Sequence, residues 1–130
     1  MVEPGMDTDD NDGQSSKQQA FDVGQSRVAG AVVLSVQGDV DALTAPRLTE
    51  AILGALPEQS SAVIVDLSDV EFLASAGMTA LITAHERIAP GARFLVVADG
   101  PGTSRPMKLM GLDSLLAIYP TLDEAISACS

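Results

Sequence analysis

Residues 62–78 read AVIVDLSDVEFLASAGM, and this stretch decides the fold. Ala62-Val63-Ile64-Val65 is a short continuous apolar run, the pattern of an internal strand buried on both faces. It leads through LSDVEFLASAGM at 67–78 into a helix with Met78, Leu81 and Ile82 on one face and Ile88 continuing it, ended by Pro90-Gly91. A two-sided strand that feeds a helix is half of a βαβ unit, so the neighbouring sequence is expected to supply further parallel strands.

Upstream, Phe21 opens a β-type stretch (FDVGQSRV) that meets an Ala29-Gly30 turn and then Val32-Val33-Leu34-Ser35-Val36, which reads as an opening hairpin. Thr44 stands where a helix cap is expected, Pro46 fits the first turn, and Leu48, Ala51, Ile52, Ala55 and Leu56 form one core-facing stripe. Downstream, Phe94-Leu95-Val96-Val97 is a second internal strand. A short helix through Met107 to Met110 follows, closed by Gly111; Met107, Leu109 and Met110 are expected to pack on the sheet, with a flexible partner-binding patch as the alternative. After an extended piece at Leu116 to Tyr119, Thr121 and Glu124 have capping-box spacing and open a last helix over Ala125, Ile126 and Ala128. The expected fold class is α/β: one domain with a small mixed β-sheet and helices packed on it.

The chain has 130 residues, enough for one core, and its 46% hydrophobic content with three Phe, one Tyr and no Trp makes that core aliphatic. Residues 1–18 are acidic, with Glu3, Asp7, Asp9, Asp10 and Asp12 clustered, and nearly free of branched apolar side chains. They are expected to be a disordered leader before a domain at 19–130. A net charge of -11 repels phosphate backbones and anionic lipid heads, which argues against nucleic acid and membrane partners. The single cysteine, Cys129, cannot form an internal disulfide, and no apolar run approaches the roughly 18 residues that a bilayer span needs. A cytoplasmic protein is expected.

The small residues of Ala74-Ser75-Ala76-Gly77 keep a helix start accessible, and a helix N-terminus presents unpaired N–H groups and a partial positive charge. Ser75 can hold a phosphate there, or it can be an ordinary N-cap; this segment alone leaves both open. A nucleophile elbow is excluded, because Leu73 replaces its first Gly and the only histidine, His85, lies ten residues on along the same helix, roughly 15 Å away by helical rise. His85 reads as a boundary residue. One His and one Cys assemble no zinc site, 7–12 lacks the pattern of a calcium loop, and Gly100, Gly102 and Gly111 form no nucleotide-binding motif. No cofactor or metal is implied.

Three segments in order resemble the STAS family, specifically bacterial anti-anti-sigma factors. GDVD at 38–41 is similar to the family's Gly-Glu-aliphatic-Asp, and VDLSDVEFLASAGM at 65–78 to its strand and Asp-Ser-Ser/Thr-Gly run. MGLDSLLAIYPTLDEAI at 110–126 is similar to its closing strand and helix, and the likeness covers about residues 21–128. Ala74 stands where the family usually has Asp, and Ala76 where it has Ser or Thr. The resemblance implies no enzyme but a regulator that binds an anti-sigma factor, itself a serine-protein kinase, and so releases a sigma factor. It implies Ser75 as the phosphorylation site, a serine phosphatase as a further partner, and a partner-binding rim of Asp39, Asp41, Thr44, Ala74, Ser75, Ala76, Gly77 and Met78. The loss of two polar neighbours of Ser75 also fits a STAS adaptor or scaffold, or a transporter-associated subunit, that is never phosphorylated.

Overall fold

The computed structural model describes residues 21–55, 62–88 and 91–129. The leader at 1–18 and the roles expected of Leu56 and Pro90 lie outside the described residues. β1 (Asp22–Val28) and β2 (Ala31–Gln37) pair antiparallel, with Val28 opposite Ala31. Ala29 and Gly30 between them have φ of 54° and 85°, the positive values at both central positions that distinguish a type I′ hairpin turn. The chain continues through α1 (Ala45–Gly54), β3 (Ala62–Asp69), α2 (Ser75–Ile88), β4 (Arg93–Val97), α3 (Ser104–Leu109), a 3-10 turn (Leu112–Ser114), β5 (Ala117–Tyr119) and α4 (Leu122–Cys129). The strands lie in the order β1-β2-β3-β4-β5, and all pairs after the hairpin are parallel.

Each crossover steps to the adjacent strand in the same direction, so the right-handed rule puts α1 and α2 on one face of the sheet. Their Leu48, Ile52, Leu81, Ala84 and Ile88 share a core with Val32, Leu34, Val63, Val65, Phe94 and Val96. The opposite face carries Ala31, Val33, Ile64, Leu95 and Val97, and among the described residues α4, through Ala125 and its neighbours, packs on it. The alternating residues of β3 and β4 therefore enter two different cores, which explains why both strands read as unbroken apolar runs.

Several details differ from the sequence reading. β3 continues to Asp69, well past Val65, with Leu67 buried. Ile82 is only half-buried, because Ala80 and Ala84 take the inner positions of α2. Met107 is fully buried, but Leu109 and Met110 are 76% and 67% exposed; the six-residue helix turns Ser104 and Met107 inward and is then ended by Gly111 in the left-handed region. The Thr121 cap forms as expected, with the Glu124 N–H donating to Thr121 Oγ1 at 3.2 Å. His85 is half-buried beside Phe94, their ring centroids 5.9 Å apart, which fits a boundary position.

Candidate functional site

Loops leaving the C-terminal ends of β2, β3 and β4 meet on one rim of the sheet, and backbone hydrogen bonds join them. Asp39 and Asp41 lie in the loop beyond the end of β2, and Val40 between them forms an isolated parallel bridge to Leu73. The Val40 N–H donates to the Phe72 carbonyl (3.0 Å) and the Ala74 N–H to the Val40 carbonyl (2.8 Å). From the third loop, the Gly102 carbonyl accepts the Leu73 N–H at 3.0 Å. Val40 and Leu73 are buried, so this stitch has an apolar centre that water does not compete for.

Two glycines make the approach possible. A Cβ on Gly102 would lie 1.8 Å from the Glu71 carbonyl oxygen, so only glycine fits. A Cβ on Gly77 would lie 2.5 Å from Leu73 Cδ1 and 2.6 Å from Val40 Cγ1. Gly77 and Met78 are buried in the first turn of α2, so they support the rim from beneath and leave contact with a partner to their neighbours.

The 39–44 loop is a closed hydrogen-bonded clip. Asp41 Oδ1 accepts the N–H groups of Leu43 and Thr44, both at 3.0 Å. Thr44 Oγ1 accepts the Asp41 N–H (2.9 Å) and donates to the Asp39 carbonyl (3.0 Å). Thr44 stands at the N-cap position of α1 but makes no side-chain cap, a correction to the sequence reading. Its backbone is already helical (φ -95°, ψ -19°), whereas a capping residue is normally extended, so the hydroxyl turns back into the clip. The Thr44 N–H, helped by that of Leu43 and opposed by slight desolvation, holds the Asp41 carboxyl below its ordinary pKa of 3.8.

Ser75 also departs from the N-cap alternative, since it is the first residue of α2 and the chain turns at Ala74, whose carbonyl accepts the Gly77 and Met78 N–H groups at 2.9 and 3.1 Å. Alanine has no side-chain acceptor, so none from Ala74 satisfies the opening N–H groups. Ser75 is exposed and its hydroxyl makes no hydrogen bond among the described residues, while Ala74 and Ala76 on either side are half-buried. Asp39 and Asp41, half-exposed, flank Val40, whose carbonyl accepts the Ala74 N–H next to Ser75, and Asp69, Glu71 and Asp99, in the loops beyond β3 and β4 or at their ends, are exposed.

Two rim residues escaped the sequence reading. Leu43 is 85% and Phe72 53% exposed, and both flank the clip and the stitch. A leucine inside a polar turn was the available signal for the first. For Phe72, sequence shows only an aromatic residue after a strand, a pattern shared by core residues.

A family model for the STAS domain matches residues 24–125. The anti-sigma-F factor antagonist RsfB of Mycobacterium tuberculosis is 42% identical over 98 residues, 75% of this chain and 80% of its own. The crystal structure of an anti-sigma factor antagonist from Mycobacterium paratuberculosis superposes with a TM-score of 0.79 at 40% identity, covering 85% of this chain and 94% of that one. A STAS domain protein of Planctomyces limnophilus, at 21% identity, shares the fold with a TM-score of 0.73 over 86% and 100% of the two chains.

Proposed function

The chain belongs to the STAS domain family, and on that premise we propose that it is an anti-sigma factor antagonist that docks its rim on an anti-sigma factor and so releases a sigma factor. The partner is also the serine kinase that modifies Ser75; phosphorylation ends the contact and a serine phosphatase restores it. The exposed, internally unbonded hydroxyl of Ser75, on a rim it shares with Asp39 and Asp41, is the observation that carries this reading. The likeness to RsfB, at 42% identity, supports the same role. Among the described residues no helix is long and apolar enough to cross a membrane, which accords with a partner met in the cytoplasm.

A phosphate adds about -1.5 to -2 charges. Placed beside the rim carboxylates and inside a desolvated contact, it creates an unpaired interfacial charge that costs about 2–5 kcal/mol, a loss of roughly 30-fold or more in affinity. ATP chemistry belongs to the kinase, and this chain supplies the acceptor and the docking surface. Ala74 and Ala76 remove polar groups that would otherwise orient the hydroxyl or meet the kinase, and they favour a second reading in which the rim is a constitutive adaptor surface.

The two readings separate on one preparation. After incubation with the cognate anti-sigma kinase and ATP, the switch predicts a mass gain of one phosphate that Ser75→Ala abolishes, and a Ser75→Asp protein that binds at least about 30-fold more weakly. Tight binding without any mass gain identifies the adaptor. Ser75→Asp binding at wild-type affinity overturns the switch.

A further inference from the structure

We propose, resting on the docking role of the rim given above, that Leu43 and Phe72 are the apolar anchors of that contact, and that they enter an apolar cleft on the anti-sigma factor edged by basic side chains. Leu43 is the most exposed of the large apolar side chains among the described residues. Its backbone is nonetheless fixed, because its N–H donates to Asp41 Oδ1 and both neighbouring turns of the clip are closed through Thr44 Oγ1. Phe72 is held in the same way: its carbonyl accepts the Val40 N–H, and its neighbours are occupied by Leu73 packing inward and by the Glu71 carbonyl lying against Gly102. Both side chains therefore project from an ordered frame, and docking them costs little backbone entropy.

Large apolar groups that point outward from a fixed backbone in the loops that meet at the start of α2 match the anchors of protein interfaces, where a few buried side chains carry most of the affinity. The chemistry of the cleft follows from its surroundings. Asp39 and Asp41 share the clip with Leu43, and the exposed Asp69 and Glu71 lie within three residues of Phe72 in the chain, so a complementary surface must bring cations to meet them. Leu109, Met110 and Leu115 are further exposed apolar residues at the end of α3 and the turn after it, but no inter-loop stitch joins them among the described residues, and the hydroxyl of the neighbouring Ser114 is already donated to the Gly111 carbonyl at 2.8 Å. They serve as the internal control for apolar exposure as such.

The experiment measures equilibrium binding of the purified cognate anti-sigma factor to unphosphorylated full-length protein and its variants, each shown to unfold thermally like the wild type. Leu43→Ala and Phe72→Ala should each weaken binding about ten-fold or more, and the double variant more than either. Leu109→Ala with Met110→Ala should leave it within about two-fold, and wild-type association should slow as salt is raised. Wild-type binding with an indifferent double anchor variant, or an equal loss from the α3 pair, overturns the anchors while leaving the antagonist reading intact. A wild-type protein that does not bind the anti-sigma factor overturns that reading and the anchors with it.

Discussion

The Ser75 rim and the α4 layer are built at opposite levels of redundancy. At the rim, three loops from distant parts of the chain are joined by backbone hydrogen bonds around Val40 and Leu73, and two glycines sit where no larger residue fits unaided. The α4 layer is one eight-residue helix in which Ala125 alone is fully buried, tied to the sheet by its apolar stripe and by Arg93 donating to the Ala128 carbonyl. The rim is over-determined, which is what presenting a small hydroxyl at a fixed place in an exposed surface requires. α4 only has to cover an apolar sheet face.

The sharpest way to break this contrast is Gly102→Ala. Its new methyl meets a backbone oxygen that cannot move without opening the stitch, so a loss on the order of 3 kcal/mol in denaturant unfolding is expected. Wild-type stability in that variant would mean the loops are not tightly joined. Gly77→Ala meets the ends of two side chains, which can shift, and alanine's better helix propensity offsets part of the strain; about 1–2 kcal/mol is expected.

On the other layer, Thr121→Ala removes the cap of α4 and should cost about 1 kcal/mol, with faster amide exchange in 122–126 and unchanged binding at the rim. Coupled loss of binding would show that the two regions are one unit. The smallest effect is the acid titration of the clip. Because the Asp41 pKa is lowered on folding, its contribution is present above pH 3.8 and is lost as pH falls through the still lower folded-state value. The Leu43 and Thr44 amide resonances should accordingly titrate with a midpoint below 3.8, and a midpoint at or above it would deny the Asp41 bonds in solution.

Much of this architecture was legible because it is local or periodic. Ala62–Val65 and Phe94–Val97 announce two-sided strands, Ala29-Gly30 announces a turn, and Thr121 with Glu124 announces a cap; each signal lies within a few neighbouring residues. The errors share a cause. Thr44 was read as a helix cap because sequence shows the residue type but not its φ and ψ, and the Asp41 carboxylate and Asp39 carbonyl won its hydroxyl instead. Packing is the preferred reading of Leu109 and Met110 over a surface patch, and it fails because apolarity does not say which way a short helix faces. At the site, Ser75, Asp39 and Asp41 are legible in the sequence; Leu43 carries only the weak signal of a leucine inside a polar turn, and for Phe72 nothing nearby in the chain reports exposure.

The sequence by itself determined the alternation of strands and helices, the two-faced burial of the central strands, and a serine at the mouth of α2, because side-chain volume and backbone propensity act over a turn or a strand. Only the tertiary structure decided that Val40, Leu73 and Gly102 lock three loops together, that Ser75 begins its helix with an exposed side chain, and that Leu43 and Phe72 stand outward from the loops so joined. Those outcomes depend on which backbone groups and side chains meet across long stretches of chain, and excluded volume between such segments exists only once the sheet has formed.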